Sequence, residues 1–330
     1  MPGNAEALAR RDLLAAGAGL LGAAGSRHAF AQGFPSRPVT IVVPFAPGGL
    51  ADVLARLMAE KLSRSLGNSV VVENRPGAGG ITGARAVASA APDGHTLLLA
   101  NTNLAINPSL YRSLPYDTAT AFTPLILAVT VPNVIVVRAS VPARSLAELI
   151  ALAKAEPGHL NYASAGNGTF PHLAMALLLQ QAGMTMTHVP YNGAAPAMTA
   201  ILGGQVQALS SDPPGASPHI AAGALRPLAV TSSMRLATLP EVPTVAEAGL
   251  PGFEAVGWQG FVAPAGTPAP VIAMLHEAFA VALAAPDVRE RLASQGVTFA
   301  SGSPTDFSDF LRRDMQRWRT AVAASGASVE

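Results

Sequence analysis

Two short stretches stand out by residue type and spacing. Pro44-Phe45-Ala46-Pro47-Gly48-Gly49 follows the β-branched run Val39–Val43, and apolar residues then recur at 50, 53, 54, 57, 58 and 62. Ser164-Ala165-Gly166-Asn167-Gly168-Thr169-Phe170-Pro171 follows the short run 160–163 and precedes an apolar-rich stretch at 172–182. A glycine loop that enters a helix leaves free backbone N–H groups at the positive end of the helix dipole. Such an end holds a carboxylate without help from lysine or arginine. That suits a chain whose only lysines are Lys61 and Lys154. Two such loops on facing domains would grip a small anion from both ends, with the glycine amides at 48, 49, 166 and 168 as donors. Asp52 falls in the first turn after the first loop, where a carboxylate serves either the helix dipole or a ligand.

Other chemistries lack their residues. Gly77-Ala78-Gly79-Gly80-Ile81-Thr82-Gly83 invites a dinucleotide reading, but G-x-G-x-x-G needs glycine where Thr82 stands. A loop packed closely against a sheet accounts better for that run. The histidines at 28, 95, 159, 172, 188, 219 and 276 form no metal-ligand spacing. His172, just past the second loop, reads as a polar cap or wall residue. There is no G-x-S-x-G elbow, and no pair of carboxylates is set apart as acid and base. Cysteine is absent, which excludes disulfides and thiol nucleophiles. The charge is balanced, 21 basic against 20 acidic residues without a basic run, so a nucleic-acid partner is not expected. The pattern points to a binding module rather than an enzyme, with no metal and no cofactor.

The elements that must position these loops alternate in type. Half of the 330 residues are apolar, enough for two cored domains. Strands at 39–43, 70–72, 96–100, 160–163, 187–189, 207–210, 225–230 and 260–263 are separated by helical stripes, which predicts sheets covered on both faces. Residues 125–137 read as one extended stretch. The N-terminus is an address: Arg10-Arg11, an uncharged run from Leu13 to Ala24, then Ala29-Phe30-Ala31. That predicts a signal peptide over 1–31, cleaved after Ala31, with a periplasmic product exported by the twin-arginine or general secretory route. Its removal leaves a formally neutral chain.

Long motifs carry a family resemblance. VTIVVPFAPGGLAD, VVVENRPGAGG, APDGHTLLL, SLAELIALAKAEPGHLNYASAGNGT, HVPYNGAAPA and LPEVPTVAEAGLPGFE resemble the Bug family, the periplasmic solute-binding proteins of tripartite tricarboxylate transporters. The resemblance implies an α/β, two-lobed periplasmic-binding-protein (Venus flytrap) fold, each lobe a mostly parallel sheet flanked by helices. Lobe 1 would hold 34–130 plus 258–330, and lobe 2 would hold 131–257. It implies a monomer that takes a small organic acid for membrane permease subunits. A sensory module that presents the solute to a membrane receptor, or a cleft enzyme, are the alternatives on the same scaffold. Matched position by position, the ligand residues would be Phe45, Ala46, Pro47, Gly48, Gly49 and Asp52 in the first loop. The second loop would give Ser164, Ala165, Gly166, Asn167, Gly168 and Thr169. Thr102, Asn107, Tyr191, Ser211 and Asp212 would complete the wall. Leu50, Ala51 and Phe170 stand where the family has smaller or hydroxyl residues, which predicts a less polar cleft than citrate needs. The family's aspartate falls on Ser211, one position before Asp212.

Overall fold

The computed structural model describes residues 33–45, 47–191, 193–293, 296–300 and 302–329; the expected export segment and Ala46 lie outside them. The strands are β1 (Val39–Val43), β2 (Val70–Asn74), β3 (Thr96–Asn101), β4 (Phe122–Pro132), β5 (Val134–Arg138), β6 (Asn161–Ser164), β7 (Thr187–Pro190), β8 (Ala208–Ser211), β9 (Leu225–Val230), β10 (Val256–Pro264) and β11 (Thr298–Phe299). The helices that matter for the site are α1 (Leu50–Leu66), α2 (Ile81–Ala88), α3 (Thr102–Leu110), α4 (Leu146–Ala155), α5 (Phe170–Ala182), α6 (Ala194–Gly203) and α7 (Pro213–Ala221). Then follow α8 (Ala269–Ala284), α9 (Pro286–Ala293) and α10 (Pro304–Ser325).

The strands form two sheets, ordered β11-β4-β10-β3-β1-β2 and β7-β6-β8-β5-β9. β1 pairs in parallel with β2 and β3, and β6 pairs in parallel with β7 and β8. The βαβ parts of each sheet are therefore parallel. The strands that carry the chain between lobes are antiparallel to their neighbours, β10 to β3 and β4, and β5 to β8 and β9. Each sheet is mixed for that reason: a chain that leaves one lobe and returns must run back beside its own exit.

Local sequence explains these elements. Val39, Ile41 and Val43 have no exposed surface, as a central strand between covered faces requires. Leu54, Met58 and Leu62, one turn apart on α1, are likewise fully buried and lay one face of the helix on the sheet. Gly67, at φ 66, closes α1 in the left-handed conformation that glycine adopts without strain. The extended stretch expected over 125–137 is two strands, broken at Asn133, where the chain changes sheets. Asn133 donates its N–H to Thr231 Oγ1 at 2.8 Å, and Thr231 returns its own N–H to Asn133 O at 2.8 Å. The outgoing and returning segments are thus laced together at the junction.

Helix α10 belongs to neither sheet alone. It packs on α3 and β4 on one side and on α5 on the other. A capping box at Ser303 and Asp306 starts it, and Phe307, Leu311, Trp318, Ala321 and Val322 form its buried face. Asp314 on that face is 1% exposed and accepts both indole N–H groups, Trp258 Nε1 at 2.7 Å and Trp318 Nε1 at 2.8 Å. Among the described residues no single helix is long and apolar enough to cross a membrane.

Candidate functional site

The first loop joins the end of β1 to the start of α1, with Gly49 at the helix cap. Asp52 holds it. Its Oδ2 accepts from the Gly48 N–H at 3.1 Å and from Arg56 Nε at 2.9 Å; its Oδ1 accepts from Arg56 Nη2 at 2.9 Å and Asn74 Nδ2 at 3.0 Å. Asn74 Nδ2 also reaches Phe45 O at 3.1 Å. The Arg56 hydrogen bonds, helped by those from Asn74 and Gly48, hold the Asp52 carboxyl down to about 2. Asp52 thus clamps the loop and is 5% exposed. Gly48, at φ 97, needs the freedom of glycine.

The run 77–83 backs this loop. A Cβ on Gly83 would meet Pro44 Cβ at 2.8 Å, so close packing against the loop, rather than phosphate binding, accounts for the glycine there. Thr102 and Asn107 sit on α3 and are buried. Thr102 Oγ1 accepts the Trp258 N–H at 2.8 Å, and Asn107 Nδ2 donates to Gly79 O at 3.3 Å. Both side chains thus serve the scaffold behind the first loop. Helix α3 itself is an addition: the sequence shows a wall here, because Asn101, Thr102, Asn103 and Pro108 interrupt any apolar stripe. Asn101 caps it by accepting the Asn103 N–H.

The second loop runs from Ser164, at the end of β6, to Thr169, the cap of α5. Ser164 Oγ accepts the Gly166 N–H at 3.1 Å and lies 2.6 Å from His188 Nε2. Thr169 Oγ1 donates to Gly166 O at 2.7 Å, and the Gly168 N–H donates to His172 Nδ1 at 3.1 Å. The amides of Gly48, Gly166 and Gly168 are therefore committed inside their own loops. Each of these three glycine amides thus has an acceptor within its own loop in this structure. The Gly49 amide and the whole of Asn167 have no acceptor or donor partner among the described residues. Gly168 also marks a contact between lobes, since a Cβ there would collide with the Leu110 side chain of α3.

A cavity of about 190 Å³ opens at the C-terminal edge of the parallel strands of the second sheet. Val131, Asn133, Ala165, Phe170, Pro171, Ala194, Ala197, Leu209, Ser210, Ser211 and Asp212 line it. Helices α5, α6 and α7 all begin at this cavity, through Phe170 and Pro171, Ala194, and the cap residue Asp212. No lysine or arginine is among its lining residues. Asp212 accepts the Gly215 N–H at 2.8 Å and so caps α7, while Ser211 Oγ donates to the Asp212 carbonyl. Of the expected site residues, this cavity gathers Ala165, Ser211 and Asp212. Phe45, Pro47, Gly48, Gly49, Asp52, Thr102, Asn107 and Tyr191 lie outside its lining. Tyr191 turns its hydroxyl to Gln205 Oε1 at 3.3 Å. Phe170 lines the cavity and sets its ring edge-on to Trp318 at 5.6 Å, whereas Leu50 packs on the first-lobe core. Sequence reasoning missed Asn133 and Ser210, whose Nδ2 and Oγ are 2.9 Å apart; the signal was a lone amide inside the apolar run 129–137.

A larger groove, about 690 Å³, lies behind the second loop between α5, the β6–β7 edge and residues 324–328. Asn167 is the one expected site residue that borders it.

Two α/β lobes linked by laced crossing strands, with helix N-termini gathered at a cation-free cavity, define a solute-binding receptor. Residues 54–326 match TctC, the tripartite tricarboxylate transporter family receptor, and the chain belongs to that family. It is 39% identical over 302 residues to the protein BugT of Bordetella pertussis, covering 91% of this chain and 93% of that one. Among solved structures it is similar to Rpa4515 of R. palustris with adipate, at TM-score 0.75 and 37% identity, covering 89% of this chain and 99% of that one. It is also similar to MatC of Rhodopseudomonas palustris with bound malate, at TM-score 0.72 and 35% identity, covering 88% and 100%. Members of this family are periplasmic solute-binding receptors, which agrees with the Bug resemblance in the sequence.

Proposed function

We propose that this receptor binds a small organic dicarboxylate between its lobes and delivers it to the membrane permease of a tripartite tricarboxylate-type transporter. The observation that carries the reading is the convergence of three helix N-termini on a cavity without cations, which favours an anion held by backbone amides and helix dipoles. The Gly49 amide and Asn167, which have no hydrogen-bond partner among the described residues, are further candidate donors in the two loops. Adipate and malate in the similar Rhodopseudomonas proteins support a dicarboxylate. The lobes divide at residues 131 and 257, and export with cleavage after Ala31 belongs to the same reading; the secreted chain should begin at Gln32 on N-terminal sequencing.

Phe170, Pro171 and Leu209 make part of the cavity wall apolar. Burying an alkyl chain there stabilises the complex by about 1.5–3 kcal/mol, whereas each carboxylate left unpaired costs several. A thermal-shift series with adipate, malate, benzoate and citrate tests this. Adipate should raise the melting temperature most and citrate least, because a ligand that binds only the native state adds RT ln(1 + [L]/Kd). The largest shift with citrate would overturn the apolar-cleft reading, and silence of all four acids would overturn carboxylate binding.

A further inference from the structure

The second loop is held from below by two imidazoles that the ligand-binding reading does not use. His172, in the first turn of α5, and His188, on β7, stack face to face with centroids 3.9 Å apart and planes 7° apart. Tyr162 of β6 stacks on His188 at 4.9 Å. His172 Nδ1 accepts the Gly168 amide, and His188 Nε2 meets the Ser164 hydroxyl that in turn accepts the Gly166 amide. Both histidines thus touch the turn through backbone amides, one directly and one through a serine.

We infer that His172 and His188 are positioning residues for the second loop, fixing the Gly168 turn while His172 is neutral and releasing it when that ring takes a proton. The inference rests on the reading of this loop as part of the ligand site. An imidazolium has no lone pair at Nδ1, so protonated His172 cannot accept the Gly168 amide. Gly168 sits at φ 70 and against Leu110, so its release also loosens the contact between lobes. Among the described residues, the lining of the adjoining groove offers no partner for the proton. The groove beside the rings is lined from β6 by Tyr162, from α5 by Gln180, from the strand edge by Met184 and Met186, and from the end of α10 by Ser325. No carboxylate, lysine or arginine is among its lining residues. Burial and the neighbouring His188 hold His172 down to about 4, and burial also lowers His188. The turn is therefore locked near neutrality and opens only in acid.

Nuclear magnetic resonance of the Gly168 amide tests the lock without any ligand. In the wild-type protein its proton shift should titrate with a midpoint near 4, far below an ordinary histidine. In His172→Asn, whose amide oxygen reaches the Nδ1 position and does not titrate, that shift should stay flat. Calorimetry with adipate at about pH 7 supplies the second arm. His172→Asn should bind within about twofold of wild type, whereas His172→Phe, which lacks the acceptor, should bind at least about fivefold more weakly. A Gly168 amide that does not move down to about pH 3.5 in folded protein, or a His172→Phe variant that binds as wild type, would overturn the inference. If wild type fails to bind adipate, the carboxylate reading is what falls, and the amide titration decides the lock alone.

Discussion

Asp52 has both carboxylate oxygens filled, each by two donors drawn from Gly48, Arg56 and Asn74. Asp52→Ala would leave the Gly48 amide and the Asn74 side chain without this acceptor. A buried donor stripped of its partner costs about 1–3 kcal/mol, so urea unfolding should show a loss of that order. Because the native carboxyl is held down to about 2, its contribution is present above the ordinary range near 4 and fades as pH falls through about 2. The variant should therefore lose less stability than wild type on acidification across that window. The sequence placed Asp52 in a first turn, and Arg56 one turn later makes half of the clamp legible. Asn74, on the neighbouring strand, does not announce itself. The same limit hides the His172–His188 stack: the two lie 16 positions apart, and only the β6–β7 pairing brings them together.

At the scale of elements, the β1–loop–α1–β2 unit was legible because a β-branched run gives way to a helical stripe across a glycine breaker. Helix α7 was not, because Pro213, Pro214 and Pro218 read as breakers. The first two occupy the opening positions of the helix, where a missing N–H costs nothing, and Asp212 caps it. Helix α10 carries a more demanding residue. Burial raises the Asp314 carboxyl to about 6 despite the two indole donors and the nearby Arg317. Its raised value means that acidification favours the folded state: the contribution is full below about 4 and is lost as pH rises through about 6. Asp314→Asn keeps an acceptor for both indoles and removes the buried charge, so it should remove that pH dependence with little loss near pH 8. Asp314→Ala strands two indole N–H groups and should cost about 2–4 kcal/mol in thermal unfolding.

In the whole molecule, the two sheets are joined by the crossing segments and by α10. Asn133 and Thr231 lace the crossing segments, and α10 packs on both lobes beside Phe170 and Trp318. Lobe motion about these connections can narrow the cleft without breaking the packed side. Small-angle scattering should show a smaller radius of gyration with saturating adipate; an unchanged radius at confirmed saturation would count against closure. The resemblance in the motifs supplied the two-lobed plan. What it did not supply was the shared core along α10, since one helix that serves two lobes has the same amphipathic pattern as a helix that serves one.

The cavity at the second sheet, with no lysine or arginine in its lining, has a kinetic side. Helix-end charge fades within about one turn, and the chain left after export would be formally neutral. An approaching dianion therefore feels no distant pull, in contrast to receptors that funnel anions with arginine rings. Its capture is timed by random encounter and orientation alone, so brackish and fresh surroundings should load this receptor at nearly the same pace.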